Sequence, residues 1–143
     1  MLKGIPAILT PELLKIIMEM GHGDEILIAD GNFPSASSAK RLVRCDGNNV
    51  PDLLDAILKF FPLDRYVDAP VSLMQVAPGD TVKTPIWDTY KEIINKYESK
   101  ANKIQYVERF NFYDRAKEVY AVIATGEKAL YANIILKKGV VVD

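Results

Sequence analysis

The chain has 143 residues, 49% of them apolar and 26% charged, with a formal net charge of -1 at pH 7. That is enough for one domain around one core, so residues 1–143 are expected to fold as a single unit. There is no dense Lys/Arg tract and no basic stripe with interleaved aromatics, which excludes the electrostatic footprint of a nucleic-acid binder.

One cysteine, Cys45, excludes an intrachain disulfide and a cysteine-based zinc site. One histidine, His22, excludes a multi-histidine metal cluster. Residues 1–10 lack the charged-then-apolar pattern of a signal peptide, and no apolar run approaches the ~20 residues that span a bilayer. The expected location is cytoplasmic, with no membrane partner. Near-zero net charge leaves self-association unopposed.

Residues 1–9 are apolar and broken by Gly4 and Pro6. Thr10-Pro11 reads as an N-cap and first helical residue, because proline there gives up no needed N–H. Leu13, Leu14, Ile17 and Met18 recur at helical spacing, predicting a helix over 11–20 that Gly21 ends as a C′ glycine. His22-Gly23-Asp24 is then a turn. Residues 25–30 form a strand whose Ile26-Leu27-Ile28-Ala29 run does not alternate, so both faces should be covered. Residues 31–38, with glycine, proline and three serines, read as a loop. A short strand at 41–44 leads to the turn cluster Asp46-Gly47-Asn48-Asn49.

Val50-Pro51 opens a second helix to about residue 61, with Leu53, Leu54, Ile57, Leu58 and Phe61 inside. A strand is predicted over 71–77. Thr84-Pro85 repeats the helix opening, and Ile86, Tyr90, Ile93, Ile94 and Tyr97 give that helix its core face. A short strand at 104–107, a short helix at 108–117 and an apolar strand at 119–125 follow. The last strand is expected at 131–136, with a tail at 139–142. The alternation of helices and strands argues for one α/β domain: three layers, with a mostly parallel or mixed central sheet flanked by helices.

Four places carry chemistry. His22 sits between two glycines, after a helix and before a buried strand, and an imidazole can give or take a proton near neutral pH. Asp30 lies at the carboxyl end of that strand, where ligands gather in open α/β sheets. The strand between them holds His22 and Asp30 ~20 Å apart, so they meet only across a subunit boundary or after chain reversal. Arg109, beside Phe110, Phe112 and Tyr113, offers a rigid fork of donors next to aromatic faces. Tyr131 and Asn133, two apart in the expected last strand, should project to the same side and offer a phenol and a carboxamide to a polyhydroxylated ligand.

Taken in order, several motifs resemble the fucose mutarotase and ribose pyranase family over nearly the whole chain. They are Gly21-His22-Gly23-Asp24, Asp30 with Phe33-Pro34, Arg44 with Asp46-Gly47, Glu108-Arg109-Phe110 with Phe112-Tyr113, Thr125-Gly126-Glu127, and the segment from Tyr131-Ala132-Asn133 to Gly139-Val140. Arg109 and its aromatic neighbours resemble the fucose branch. The resemblance implies a single α/β domain, ring-like homo-oligomers (commonly decamers) with sites near subunit interfaces, and interconversion of cyclic forms of free monosaccharides without a metal or organic cofactor. It implies that His22 transfers the proton and that Asp30, Arg109, Tyr131, Ala132 and Asn133 bind the sugar; because mutarotation needs both an acid and a base, Tyr131 is expected to take the second proton role. The expected activity is that of an isomerase exchanging the α and β anomers of a monosaccharide, L-fucose first. The alternatives are pyranose–furanose exchange of D-ribose and a non-catalytic sugar-binding module.

Overall fold

A computed structural model describes residues 1–142. Helix α1 (Pro11–Glu19) starts as its sequence predicts: the Thr10 hydroxyl accepts the Leu13 N–H at 3.1 Å, and Pro11 occupies the first turn. Its end differs. Met20 leaves the helix in an extended conformation, and the left-handed residue is Gly23 (φ 87°), not Gly21. The Asp24 carboxylate accepts the Gly21 N–H at 2.7 Å, so the glycine pair serves the tight reversal into the next strand.

Strand β1 (Glu25–Ala29) is followed by a one-turn helix, α2 (Ser35–Ser38), inside the expected loop. Pro34 pre-sets the backbone for that turn, and its carbonyl accepts the Ser38 N–H. Strand β2 (Leu42–Cys45) leads to α3 (Val50–Leu58), where Asn49 is the N-cap and accepts the Asp52 N–H at 2.8 Å. Strand β3 (Val71–Met74) is shorter than predicted, and α4 (Pro85–Tyr97) begins at its proline without a side-chain cap bond from Thr84. Strand β4 (Ile104–Val107), helix α5 (Arg109–Ala116) and strand β5 (Ala121–Thr125) match their sequence signals closely. Strand β6 is confined to Ile134–Lys137; residues 131–133 lie outside it, and Gly139 onward is not strand.

The six strands form one sheet in the order β2-β5-β1-β6-β3-β4. Strands β2, β5 and β1 are mutually parallel, as are β3 and β4, and β6 runs antiparallel to both β1 and β3. Five strands therefore point one way and β6 alone the other. The unbroken apolar run of β1 is explained by two cores. Ile26 and Ile28 face α1, α3 and α4 together with Leu13, Leu54, Ile57, Tyr90 and Ile94, while Leu27 and Ala29 face Phe33, Phe112 and Ala116 on the α2 and α5 side. The sheet is the middle of three layers, as the sequence predicted.

This topology decides where chemistry collects. The carboxyl ends of β1, β3 and β4 lie on one edge, and the lone reversed strand brings the segment before β6 to the same edge. Such an edge is where α/β sheets bind ligands.

Candidate active site

Asp30 leaves β1 at that edge. Its backbone N–H donates to the Asn133 side-chain carbonyl at 2.8 Å, which ties the end of β1 to the start of β6. One carboxylate oxygen accepts the Asn32 N–H at 3.0 Å, an Asx turn that fixes the carboxylate at this edge. Both residues are buried. Burial pushes the Asp30 carboxyl above its usual range, and hydrogen bonds from the Asn32 and Phe33 backbone offset part of the shift. Asn133 spends its oxygen on the Asp30 backbone N–H, and its side chain also helps to hold the Asp30 carboxyl down.

Arg109 is the first residue of α5, a helix capped by Glu108 accepting the Phe110 and Asn111 N–H groups at 3.0 and 3.1 Å. The guanidinium stands over the Phe110 and Tyr113 rings, 5.8 and 5.7 Å from their centroids. Tyr113 in turn stacks on Phe33 at 5.6 Å, and Phe33 packs edge-on against the fully buried Phe112. The aromatic segment is thus neither wholly core nor wholly exposed: Phe112 anchors it, and Tyr113 and Phe33 present a ring wall.

Tyr131 corrects the extended-strand expectation. It precedes β6 in a left-handed conformation (φ 55°), so Tyr131 and Asn133 converge through a turn and not by strand alternation. Its hydroxyl donates to Asp80 at 2.6 Å and accepts the Ala77 N–H at 3.3 Å. Its carbonyl accepts the Trp87 indole N–H at 2.8 Å. Ala132 is fully buried, and its carbonyl accepts the Tyr90 hydroxyl at 2.7 Å. Its side chain packs in the interior, outside the residues that line the pocket.

Asp30, Arg109, Tyr131 and Asn133 line one open pocket of about 230 Å³ with Phe33, Met74, Asp80 and Tyr113. It is smaller than the ~300–1,000 Å³ sites that enclose drug-sized ligands, and it suits one small ring. Its wall offers a carboxylate, a guanidinium, an amide and a phenol beside an aromatic face, a set that pairs with several hydroxyls and one apolar flank.

His22 is elsewhere. It precedes β1 and sits at the opposite edge of the sheet, half-exposed. Its Nε2 lies 3.1 Å from Asp64 Oδ1, and the Tyr66 ring is 5.6 Å away. Asp64 is buried and also accepts the Tyr66 N–H. Burial pushes the Asp64 carboxyl up, but the Tyr66 N–H and His22 hold it below its ordinary value. An ionised carboxylate there fixes the imidazole ring, whose side chain stays half-exposed. The carboxylate that orients His22 is therefore Asp64 and not Asp30. No local sequence signal marks Asp64 or Asp80, because each acquires its partner through the fold: Asp64 is 42 positions from His22, and Asp80 is 51 from Tyr131. Pro78-Gly79-Asp80 has the composition of a turn, but nothing in it points at a phenol.

Among the described residues, no three His, Cys, Asp or Glu side chains are grouped so as to hold a metal ion, and no helix is long and apolar enough to cross a membrane.

A mixed six-stranded sheet, with a pocket of hydrogen-bonding side chains and an aromatic wall at its carboxyl edge and an oriented imidazole at the other, defines a small three-layer α/β protein. The chain belongs to the RbsD / FucU transport protein family, whose model matches residues 3–141. It is similar to a fucose mutarotase of Danio rerio, 52% identical over 146 residues that cover 98% of this chain and 94% of that one. An L-fucose mutarotase of Actinobacillus pleuropneumoniae is 49% identical over 140 residues, covering 98% and 97%. The fold matches the crystal structure of the Streptococcus pneumoniae fucose mutarotase in complex with L-fucose with a TM-score of 0.94 and 55% identity, over 99% of this chain and 100% of that one.

Proposed function

We propose that this chain is a mutarotase that interconverts the α and β anomers of free L-fucose. The observation that carries the reading is the convergence of Asp30, Arg109, Tyr131 and Asn133 on one ring-sized pocket, in a chain about half identical to fucose mutarotases along its length. Asp30, Arg109 and Asn133 hold hydroxyls, and the Phe33–Tyr113 wall takes an apolar flank of the ring. Mutarotation needs an acid at the ring oxygen and a base at the anomeric hydroxyl; the ring opens to the aldehyde, the C1–C2 bond rotates, and the ring closes on the other face. Such acid–base help is typically worth 10²–10⁴-fold.

His22 is the proton-transfer group, delivered by a neighbouring copy of the chain. Within one subunit it stands ~20 Å from the pocket, and a homo-oligomer brings the His22 edge of one copy to the Asp30 edge of the next. Exposed Leu2, Met18, Phe60 and Val141 around an apolar groove of about 350 Å³ support self-association. Exchange NMR of free L-fucose and D-ribose at equilibrium tests the function directly. Faster anomer exchange for fucose than for ribose is expected; enhancement for ribose alone would move the chain to pyranose–furanose exchange, and binding without exchange would leave a sugar-binding module.

A further inference from the structure

We infer that Asp80 is a positioning residue for the reaction: it receives the phenolic proton of Tyr131 as that phenol takes a proton from the sugar. The inference rests on the mutarotase reading above and identifies the base side of it.

A phenol has one proton and two lone pairs. In Tyr131 the proton is committed to Asp80 Oδ2 at 2.6 Å, and one lone pair is committed to the Ala77 N–H at 3.3 Å. The valence left to face the pocket is the second lone pair. Tyr131 therefore meets a sugar hydroxyl as a hydrogen-bond acceptor. A tyrosine acting alone would gain little as a base; one whose own proton already points at an ionised carboxylate can take a proton on one side while releasing one on the other.

Both partners are held for this. The other Asp80 oxygen accepts the Val82 N–H at 3.0 Å, and the Asp80 N–H donates to the Ala77 carbonyl at 3.0 Å. Tyr131 is pinned by Trp87 at its carbonyl and kept at φ 55°, a conformation that a bulky side chain adopts only when its surroundings over-determine it. Backbone strain of this kind collects at functional sites. The charged groups that face Tyr131 are Asp80 from the segment after β3, Arg109 from α5 and Asp30 from the end of β1. The hydrogen bond to Asp80 pushes the Tyr131 phenol up from its ordinary value, so it stays protonated, and the same bond holds Asp80 below the usual carboxylate range, so it is ionised.

The anomeric hydroxyl proton moves to the Tyr131 oxygen while the Tyr131 proton moves to Asp80 Oδ2. The electron pair of the anomeric O–H becomes the second C=O bond of the aldehyde. The bond from C1 to the ring oxygen breaks, its pair stays on that oxygen, and the oxygen takes one proton from the acid, His22 in the reading above. Closure on the opposite face of C1 runs the same transfers backward and restores all three groups.

The test is exchange NMR of L-fucose, with binding measured by titration calorimetry, for wild type, Asp80→Asn, Asp80→Ala, Tyr131→Phe and the Asp80→Asn/Tyr131→Phe double variant. Asparagine still accepts the Tyr131 hydrogen bond but cannot take its proton. Asp80→Asn is expected to bind fucose within about threefold of wild type and to lose at least about tenfold in exchange rate. The double variant should fall no further than Tyr131→Phe, the signature of two residues acting as one unit. Wild-type exchange in Asp80→Asn would overturn the relay even if Asp80→Ala is slow, and so would losses that multiply in the double variant. A wild type that binds fucose without accelerating exchange would instead overturn the mutarotase reading and the relay with it. Should Asp80→Asn fail to fold, wild type labelled at the tyrosine ζ carbon decides: Tyr131 titrating above free tyrosine supports the relay, and at or below it overturns the relay.

Discussion

His22 and Asp30 flank the same strand from opposite ends, so a single chain holds its imidazole and its pocket carboxylate ~20 Å apart. No side-chain rotation closes that gap, since β1 is paired on both sides, to β5 and to β6. If both groups serve one reaction, two copies of the chain must share a site.

Complementation makes that measurable. His22→Ala and Arg109→Ala should each be inactive alone. Unfolded together and refolded as mixed oligomers, they should recover roughly a quarter of wild-type exchange, because that share of shared sites draws one intact residue from each side. No recovery in mixed oligomers verified by native mass spectrometry would show that each site is built within one chain.

His22→Ala should keep the fold. The side chain is half-exposed and its hydrogen-bond partner among the described residues is Asp64. Its thermal midpoint should stay close to that of wild type while fucose exchange drops by about 10²–10⁴-fold. A His22→Gln variant that still exchanges fucose at the wild-type rate would remove the imidazole from the mechanism.

Asp30→Asn separates stability from function. The carboxyl is held above its ordinary value by burial, so the folded state favours its protonated form. Stability linked to this group is therefore present at low pH and is lost as pH rises through the raised folded value. Asparagine keeps the acceptor for the Asn32 N–H and carries no charge. The variant should melt at or above the wild-type temperature at pH 7, with the difference shrinking as the pH falls below the carboxylate range. Its fucose affinity should drop at least about tenfold, since the charged acceptor is gone. A lower melting point at pH 7 would contradict the assignment. The trade of stability for binding is common at functional sites.

Phe112→Ala should be the costly core change on the pocket side. Phe112 is fully buried and meets Phe33 edge-on, and Phe33 supports Tyr113. A loss of about 3–5 kcal/mol in denaturant unfolding is expected, together with weaker fucose binding as the ring wall loosens. Loss of stability with unchanged affinity would show that the wall does not depend on its anchor.

Much of the architecture was legible along the chain because it depends on neighbours. Thr10-Pro11 and the Leu13–Ile17 spacing make α1 by capping and periodicity within a few residues, and Ile26-Leu27-Ile28-Ala29 reports two covered faces by failing to alternate. The positions of Asp30, Arg109, Tyr131 and Asn133 were legible as chemistry at element ends, and the ~20 Å gap to His22 followed from strand rise alone. The errors were local too. A glycine directly after a helix usually takes the left-handed conformation, which points to Gly21, whereas the turn's demand falls on Gly23. The pattern of residues 131–133 continues smoothly into β6 and predicts strand, whereas Tyr131 turns instead.

What the sequence by itself determined is the set of elements, their buried faces and the residue types that can meet a hydroxyl or move a proton. The tertiary structure alone decided the company those residues keep. Inserting β6 antiparallel between β1 and β3 brings Tyr131 and Asn133 to the carboxyl edge, seats Asp80 on Tyr131, and leaves Asp64 beside His22 at the far end. Those pairings span 42 and 51 positions, and propensity and periodicity act over only a turn or a strand. Strand order carries the long-range information, and it is set by which faces the whole core can bury together.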